Sequence, residues 1–80
     1  MPRYGAEVRM DPKQVVDRAV AFFGPDGVGL EVTEHSECCA HLAGGGGHVR
    51  VTATGGETTT LDLDTREWDH QVQQFLREVA

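Results

Sequence analysis

Residues able to ligate a metal or attack an electrophile gather in one stretch, His35-Ser36-Glu37-Cys38-Cys39-Ala40-His41, with His48 beyond a run of four glycines. Thiolate and imidazole are the groups a tetrahedral zinc site uses. His35, Cys38, Cys39, His41 and His48 are therefore the candidate metal ligands. The spacing matches no structural-zinc pattern: there is no C-x-x-C and no second cysteine pair. Adjacent residues on a strand project to opposite faces, which predicts that Cys38 and Cys39 do not serve one ion. The plainer expectation is one cysteine as a small buried hydrophobe, the other partly exposed, and the histidines on a wet face. A nearby histidine can lower a thiol pKa and make a nucleophile. No oxyanion hole or third, orienting group is readable, so no catalytic residue is assigned and no cofactor is expected.

Three other groups invite the same question. Gly44 to Gly47 can form a phosphate-cradling nest, but they run into His48-Val49-Arg50 rather than into a helix carrying a Lys-Ser/Thr pair. A mobile hairpin tip is the expectation there. Asp62, Asp64, Glu67 and Asp69 offer paired carboxylates. Acid–base work needs a pocket that moves one pKa; capping and solvation account for these four instead. Trp68 and Val72, with His48, are the candidate ligand-binding residues if an apolar molecule enters between the last helix and a sheet.

These side chains need a scaffold, and hydrophobic periodicity supplies one. Tyr4, Ala6, Val8 and Met10 alternate with polar residues or glycine and predict a half-buried first strand. Asp11-Pro12-Lys13-Gln14 then has Asp at the N-cap, Pro at N1 and Gln at N3, the signature of a capped helix. It runs from about Pro12 to Phe23, with Val16, Ala19, Val20 and Phe23 inward and a left-handed Gly24 at its end. Strands are predicted over Val28 to His35, Cys38 to Ala43, His48 to Thr54 and Glu57 to Leu63. Gly55-Gly56 has the look of a two-residue primed hairpin turn. Asp64-Thr65-Arg66-Glu67 repeats the Asp-to-N3 capping spacing and predicts that a second helix starts there, with Trp68, Val72, Phe75, Leu76 and Val79 as its apolar stripe. The order is β-α-β-β-β-β-α, an α+β fold with an antiparallel sheet and both helices on one face. The first strand must lie at an edge or beside the last strand. The opposite face is polar, carrying Glu31, Thr33, His48, Arg50, Thr52, Thr54, Thr58, Thr60 and Asp62.

Eighty residues make a single domain over 1–80 with a thin core. A net charge of -6 repels a phosphate backbone and argues against nucleic acid as a partner. No apolar run approaches membrane-spanning length, and Met1 to Gly5 shows no signal-peptide stretch, so no membrane partner and a cytoplasmic setting are expected. Two adjacent cysteines make no disulfide framework.

The strand Val8-Arg9-Met10, the capped start Asp11-Pro12-Lys13-Gln14 and the closing helix Arg66 to Ala80 resemble the TATA-binding-protein-like and helix-grip group, which includes START-related lipid binders. That resemblance implies a sheet gripping its last helix, with a small apolar ligand held between them; it transfers no site residue. If Cys38 to Ala43 is not a strand, residues 12 to 80 read α-β-β-β-α and resemble a double-stranded-RNA-binding domain in element order. The last helix, opening Arg66-Glu67-Trp68-Asp69-His70, lacks the basic cluster that such domains use. The function expected from sequence is a non-catalytic binding or interaction module. It self-associates as a homodimer, contacts another protein, or holds a small apolar ligand. The alternative is a metal- or thiol-dependent activity centred on the His35–His48 segment.

Overall fold

Alternation and amphipathic stripes resolve into one antiparallel sheet with two helices across it. The computed structural model describes residues 3–80; Met1 and Pro2, part of the N-terminal reading, lie outside them. The elements are β1 (Arg3–Val8), α1 (Pro12–Phe23), β2 (Glu31–His35), β3 (Cys39–Gly44), β4 (Gly47–Thr54), β5 (Thr59–Arg66) and α2 (Asp69–Val79). The strand order is β1-β5-β4-β3-β2, with every pair antiparallel. β1 satisfies both predicted placements, being an edge strand that also pairs with the last strand.

One face of the sheet carries the core. Val49, Val51 and Ala53 of β4, Leu61 and Leu63 of β5 and Ala40 and Leu42 of β3 are buried there, against Val15, Val16, Ala19 and Phe23 of α1 and Val72 and Phe75 of α2. The rings of Phe22, Phe23 and Phe75 meet with centroids 4.9 to 5.4 Å apart and join the helices over the sheet. At about 25 cal/mol per Å² of apolar surface removed from water, such side chains supply most of the folding energy.

The start of α1 forms as its sequence predicts. The Asp11 backbone N–H donates to Gln14 Oε1 at 3.1 Å, closing the capping box. Its end does not. Gly24 is extended, at φ -75° and ψ -166°, and its N–H reaches Val20 O at 2.8 Å. Glycine is needed there because a Cβ would strike the Val20 carbonyl. The loop then continues to Leu30, and β2 begins only at Glu31.

The second capping box is not a helix start. Asp64, Thr65 and Arg66 belong to β5, paired with β4 through Arg50↔Asp64, Val49↔Thr65 and His48↔Arg66. The two-residue alternation that buries Thr59, Leu61 and Leu63 continues to Thr65, whose Oγ1 donates to His48 O at 2.8 Å. Pairing with β4 through Arg66, and with β1 as far as Asp64, outweighs one local cap. Glu67, at φ 76°, then turns the chain, and α2 starts at Asp69 with Trp68 as its N-cap.

The two glycine turns also exchange roles. Gly45 and Gly46, at φ 60° and 82°, form the tight primed turn of the β3–β4 hairpin, and Gly44 pairs with Gly47. The β4–β5 connection is a longer loop over Gly55 to Thr58, without positive φ. The predicted mobile tip is instead a seated one. Trp68 Nε1 donates to Gly44 O at 3.0 Å, and a Cβ on Gly45 would lie 2.6 Å from the indole Cζ2.

Candidate functional site

Both helices occupy one side of the sheet, which leaves the other side open across all five strands. The pairing registers set its side chains in rows. One row runs Arg3, Asp64, Arg50, His41 and Glu34, from β1 across to β2. A second runs Arg66, His48, Ala43 and Glu31, and a third Gly5, Asp62, Thr52 and Cys39. Cations, carboxylates and threonines therefore interleave on one continuous surface. Arg50, Arg66 and Glu34 are exposed, whereas Asp62, Asp64, His41, His48 and Thr52 are half-buried by their neighbours.

Asp64 sits between Arg3 and Arg50, and its Oδ1 is buried without a hydrogen-bond partner among the described residues. A carboxylate oxygen out of reach of water and without a donor is costly, and it favours any arrangement that brings one. Elsewhere on the face Thr33 with His41 and Thr58 with Glu7 form local pairs. Thr33, the extra residue of a bulge in β2, shares a 2.6 Å hydrogen bond with His41 Nδ1 and also donates to His41 O at 3.0 Å. Thr58 donates to Glu7 at 2.6 Å. Together with Thr60, this holds the Glu7 carboxyl below its ordinary value.

The predicted metal ligands divide between the two sides of the sheet. His41 and His48 meet on the open face, with ring centroids 5.6 Å apart, and Cys39 lies on the same face. His35 pairs with Ala40 on the helix side, and its Nε2 lies 3.0 Å from Asp17 Oδ1 on α1. Among the described residues no three His, Cys, Asp or Glu side chains converge as a metal site. Cys38 and Cys39 are joined to each other as a disulfide. Opposite projection did not keep them apart because Cys38 belongs to the β2–β3 turn, and only Cys39 has entered the strand.

The predicted ligand-binding residues separate as well. Val72 is fully buried under α2, Trp68 covers the β3–β4 turn, and His48 faces the open side. Val72 and Phe75 fill the seam between α2 and the sheet. A polar, open cleft of about 540 Å³ lies elsewhere, between Asp11 at the start of α1 and Glu57 in the β4–β5 loop. Reading residue types alone missed the Asp64 row and the hold of Thr33 on His41. The signal for the first was present, since the alternation of β5 runs on through Thr65.

No helix among the described residues is long and apolar enough to cross a membrane. No family model, curated protein or solved structure was found to match the chain. What is established is an α+β fold with a five-stranded antiparallel sheet and two helices packed on it.

Proposed function

We propose that this protein is a non-catalytic interaction module that self-associates through the open face of its sheet. The observation that carries the reading is the row Arg3–Asp64–Arg50, two cations flanking a carboxylate that has an unpartnered oxygen, running inward from the β1 edge of a face no helix covers. A twofold-related copy presents the same row in reverse. Arginine of one protomer then stands against Asp62, Asp64 or Glu34 of the other, the self-complementarity a closed dimer requires. Threonines along β4 and β5 give the flat, pleated surface on which two sheets can stack. The seam under α2, filled by Val72 and Phe75, supports an apolar ligand less well than the open face supports a second copy.

Sedimentation equilibrium over a wide concentration range tests this. A dimer is expected, weakened about tenfold or more by Arg50→Glu, which places like charges together. Arg50 is exposed, so the exchange leaves the core untouched. A chain that stays monomeric at every concentration, or a dimer indifferent to Arg50→Glu, would overturn the reading.

A further inference from the structure

We propose that Cys38 and Cys39 form a reversible two-electron thiol–disulfide site that exchanges with small thiols and their disulfides. The reading stands apart from self-association. Four observations carry it. The two are the only cysteines of the chain, and they are bonded to each other. They are neighbours in sequence, so the bond closes no loop of intervening chain and leaves the unfolded ensemble almost as free as before. A structural staple is therefore the role it fits least. Cys38 is exposed in the β2–β3 turn, within reach of an attacking thiolate, while Cys39 is half-buried at the start of β3. The surrounding backbone is held independently of the sulfurs. The Ser36 N–H donates to Cys39 O at 2.8 Å, and the Ala53 N–H donates to Cys38 O at 2.8 Å. The turn thus keeps the two side chains together whether or not the sulfurs are bonded.

The exchange balances as follows. A small thiolate attacks Cys38 Sγ; the bond between the cysteines breaks, and its electron pair leaves on Cys39 Sγ, which takes a proton from water. A mixed disulfide now joins Cys38 to the small thiol. A second thiolate attacks the outer sulfur of that bond, releasing the small disulfide and the Cys38 thiolate, which is protonated in turn. Two small thiols are oxidised to one disulfide, and the protein pair is reduced by two electrons. The reverse sequence, driven by a small disulfide such as oxidised glutathione, re-forms the bond. Ser36 Oγ, which donates to Cys39 O at 3.4 Å, also lies 3.5 Å from Cys38 Sγ.

The test is to equilibrate the whole chain in mixtures of reduced and oxidised glutathione, trap free thiols with N-ethylmaleimide, and read intact mass. Expected is a single passage from no adduct to two adducts as the mixture becomes more reducing, with the chain monomeric in disulfide linkage throughout. Cys38→Ser and Cys39→Ser each leave one cysteine without its partner and should stop at one glutathione adduct in the oxidising mixtures. A wild-type chain that accumulates one or two glutathione adducts instead of closing its own bond would overturn the proposal. So would one that keeps both thiols free, or one that links to a second copy. A further measurement on the wild type needs no variant. The reduced chain should bind one phenylarsine oxide across both sulfurs, releasing water, and lose it to a competing dithiol; failure to bind would show that the sulfurs do not act as a pair.

Discussion

The two helices of this protein begin in opposite ways, and the contrast separates what is written locally from what is written by the sheet. The start of α1 is set by its own residues. Asp11 and Gln14 close a capping box, Pro12 occupies the first turn, and Lys13 Nζ reaches Asp17 Oδ2 one turn later at 3.0 Å. Asp11, Lys13, Gln14 and Asp17 are exposed, and Pro12 is half-buried. The start of α2 has no side-chain cap, and its N-cap is a tryptophan. It is held from outside. The Trp68 indole donates to Gly44 O across the β3–β4 turn, and Tyr4 Oη of β1 donates to Asp69 Oδ2 at 2.8 Å. Asp69, in the first turn, also suits the positive end of the helix dipole. One helix start is capped by four consecutive residues, the other is held by contacts reaching back to Gly44 and to Tyr4.

The sharpest way to break the comparison is at Trp68. Trp68→Ala removes the ring packed over Gly45 and leaves the Gly44 carbonyl without its donor. A loss of about 3 kcal/mol in unfolding free energy is expected, at the lower end for truncating a large aromatic because Trp68 is half-buried. Trp68→Phe, which keeps much of the packing but not the N–H, should lose roughly 1 kcal/mol. Urea unfolding followed by circular dichroism measures both. If the alanine variant unfolds within about 0.5 kcal/mol of wild type, α2 is not anchored through this ring, and the contrast between the helices fails.

This division explains which elements were legible in the sequence. The first helix, both apolar stripes and the inward sets Val49-Val51-Ala53 and Leu61-Leu63 were readable because periodicity and capping act between near neighbours. Asp64-Thr65-Arg66-Glu67 misled because its capping spacing is real but weaker than the pairing with β4 that runs through Arg66, and only the fold supplies that pairing. The glycine turns misled for a related reason. Both pairs suit a primed turn, and the register that selects Gly45-Gly46 is fixed by Leu42↔Val49 and by Trp68 beneath the turn. At the candidate site, the polarity of the outer face followed from alternation. The order of its rows, the bond between Cys38 and Cys39, and the placing of His35 opposite His41 depended on register and on one turn that composition does not specify.

A matched pair of substitutions tests the two Asp-led quartets directly. Asp11→Ala should cost about 1 kcal/mol, the usual worth of an N-cap carboxylate. Asp64→Ala should cost less than about 0.5 kcal/mol, because Asp64 caps nothing and carries an oxygen with no hydrogen-bond partner. Thermal unfolding monitored at a helical wavelength distinguishes them. Equal losses at both positions would mean that Asp64 supports a helix after all and that β5 ends earlier than Arg66.

The smallest expected effect belongs to acid. Asp17 lies one turn into α1 and ties it to β2. The hydrogen bond from Lys13, and next the one from the His35 ring N–H, hold its carboxyl below the ordinary carboxylate range. The sign follows from linkage: a carboxyl whose folded pKa is depressed contributes stability that is fully present above its unfolded value, about 3.9. That contribution is lost as pH falls through the lower folded value. Between about pH 5 and pH 2 the urea midpoint of wild type should therefore fall more steeply than that of Asp17→Asn, and the difference should shrink in high salt because the group is open to solvent. The change at neutral pH should be smaller than that of Asp11→Ala, since an exposed ion pair yields less than a helix cap. Parallel acid limbs for the two chains would show that the tether between α1 and β2 adds nothing, and that the local capping box alone positions the first helix.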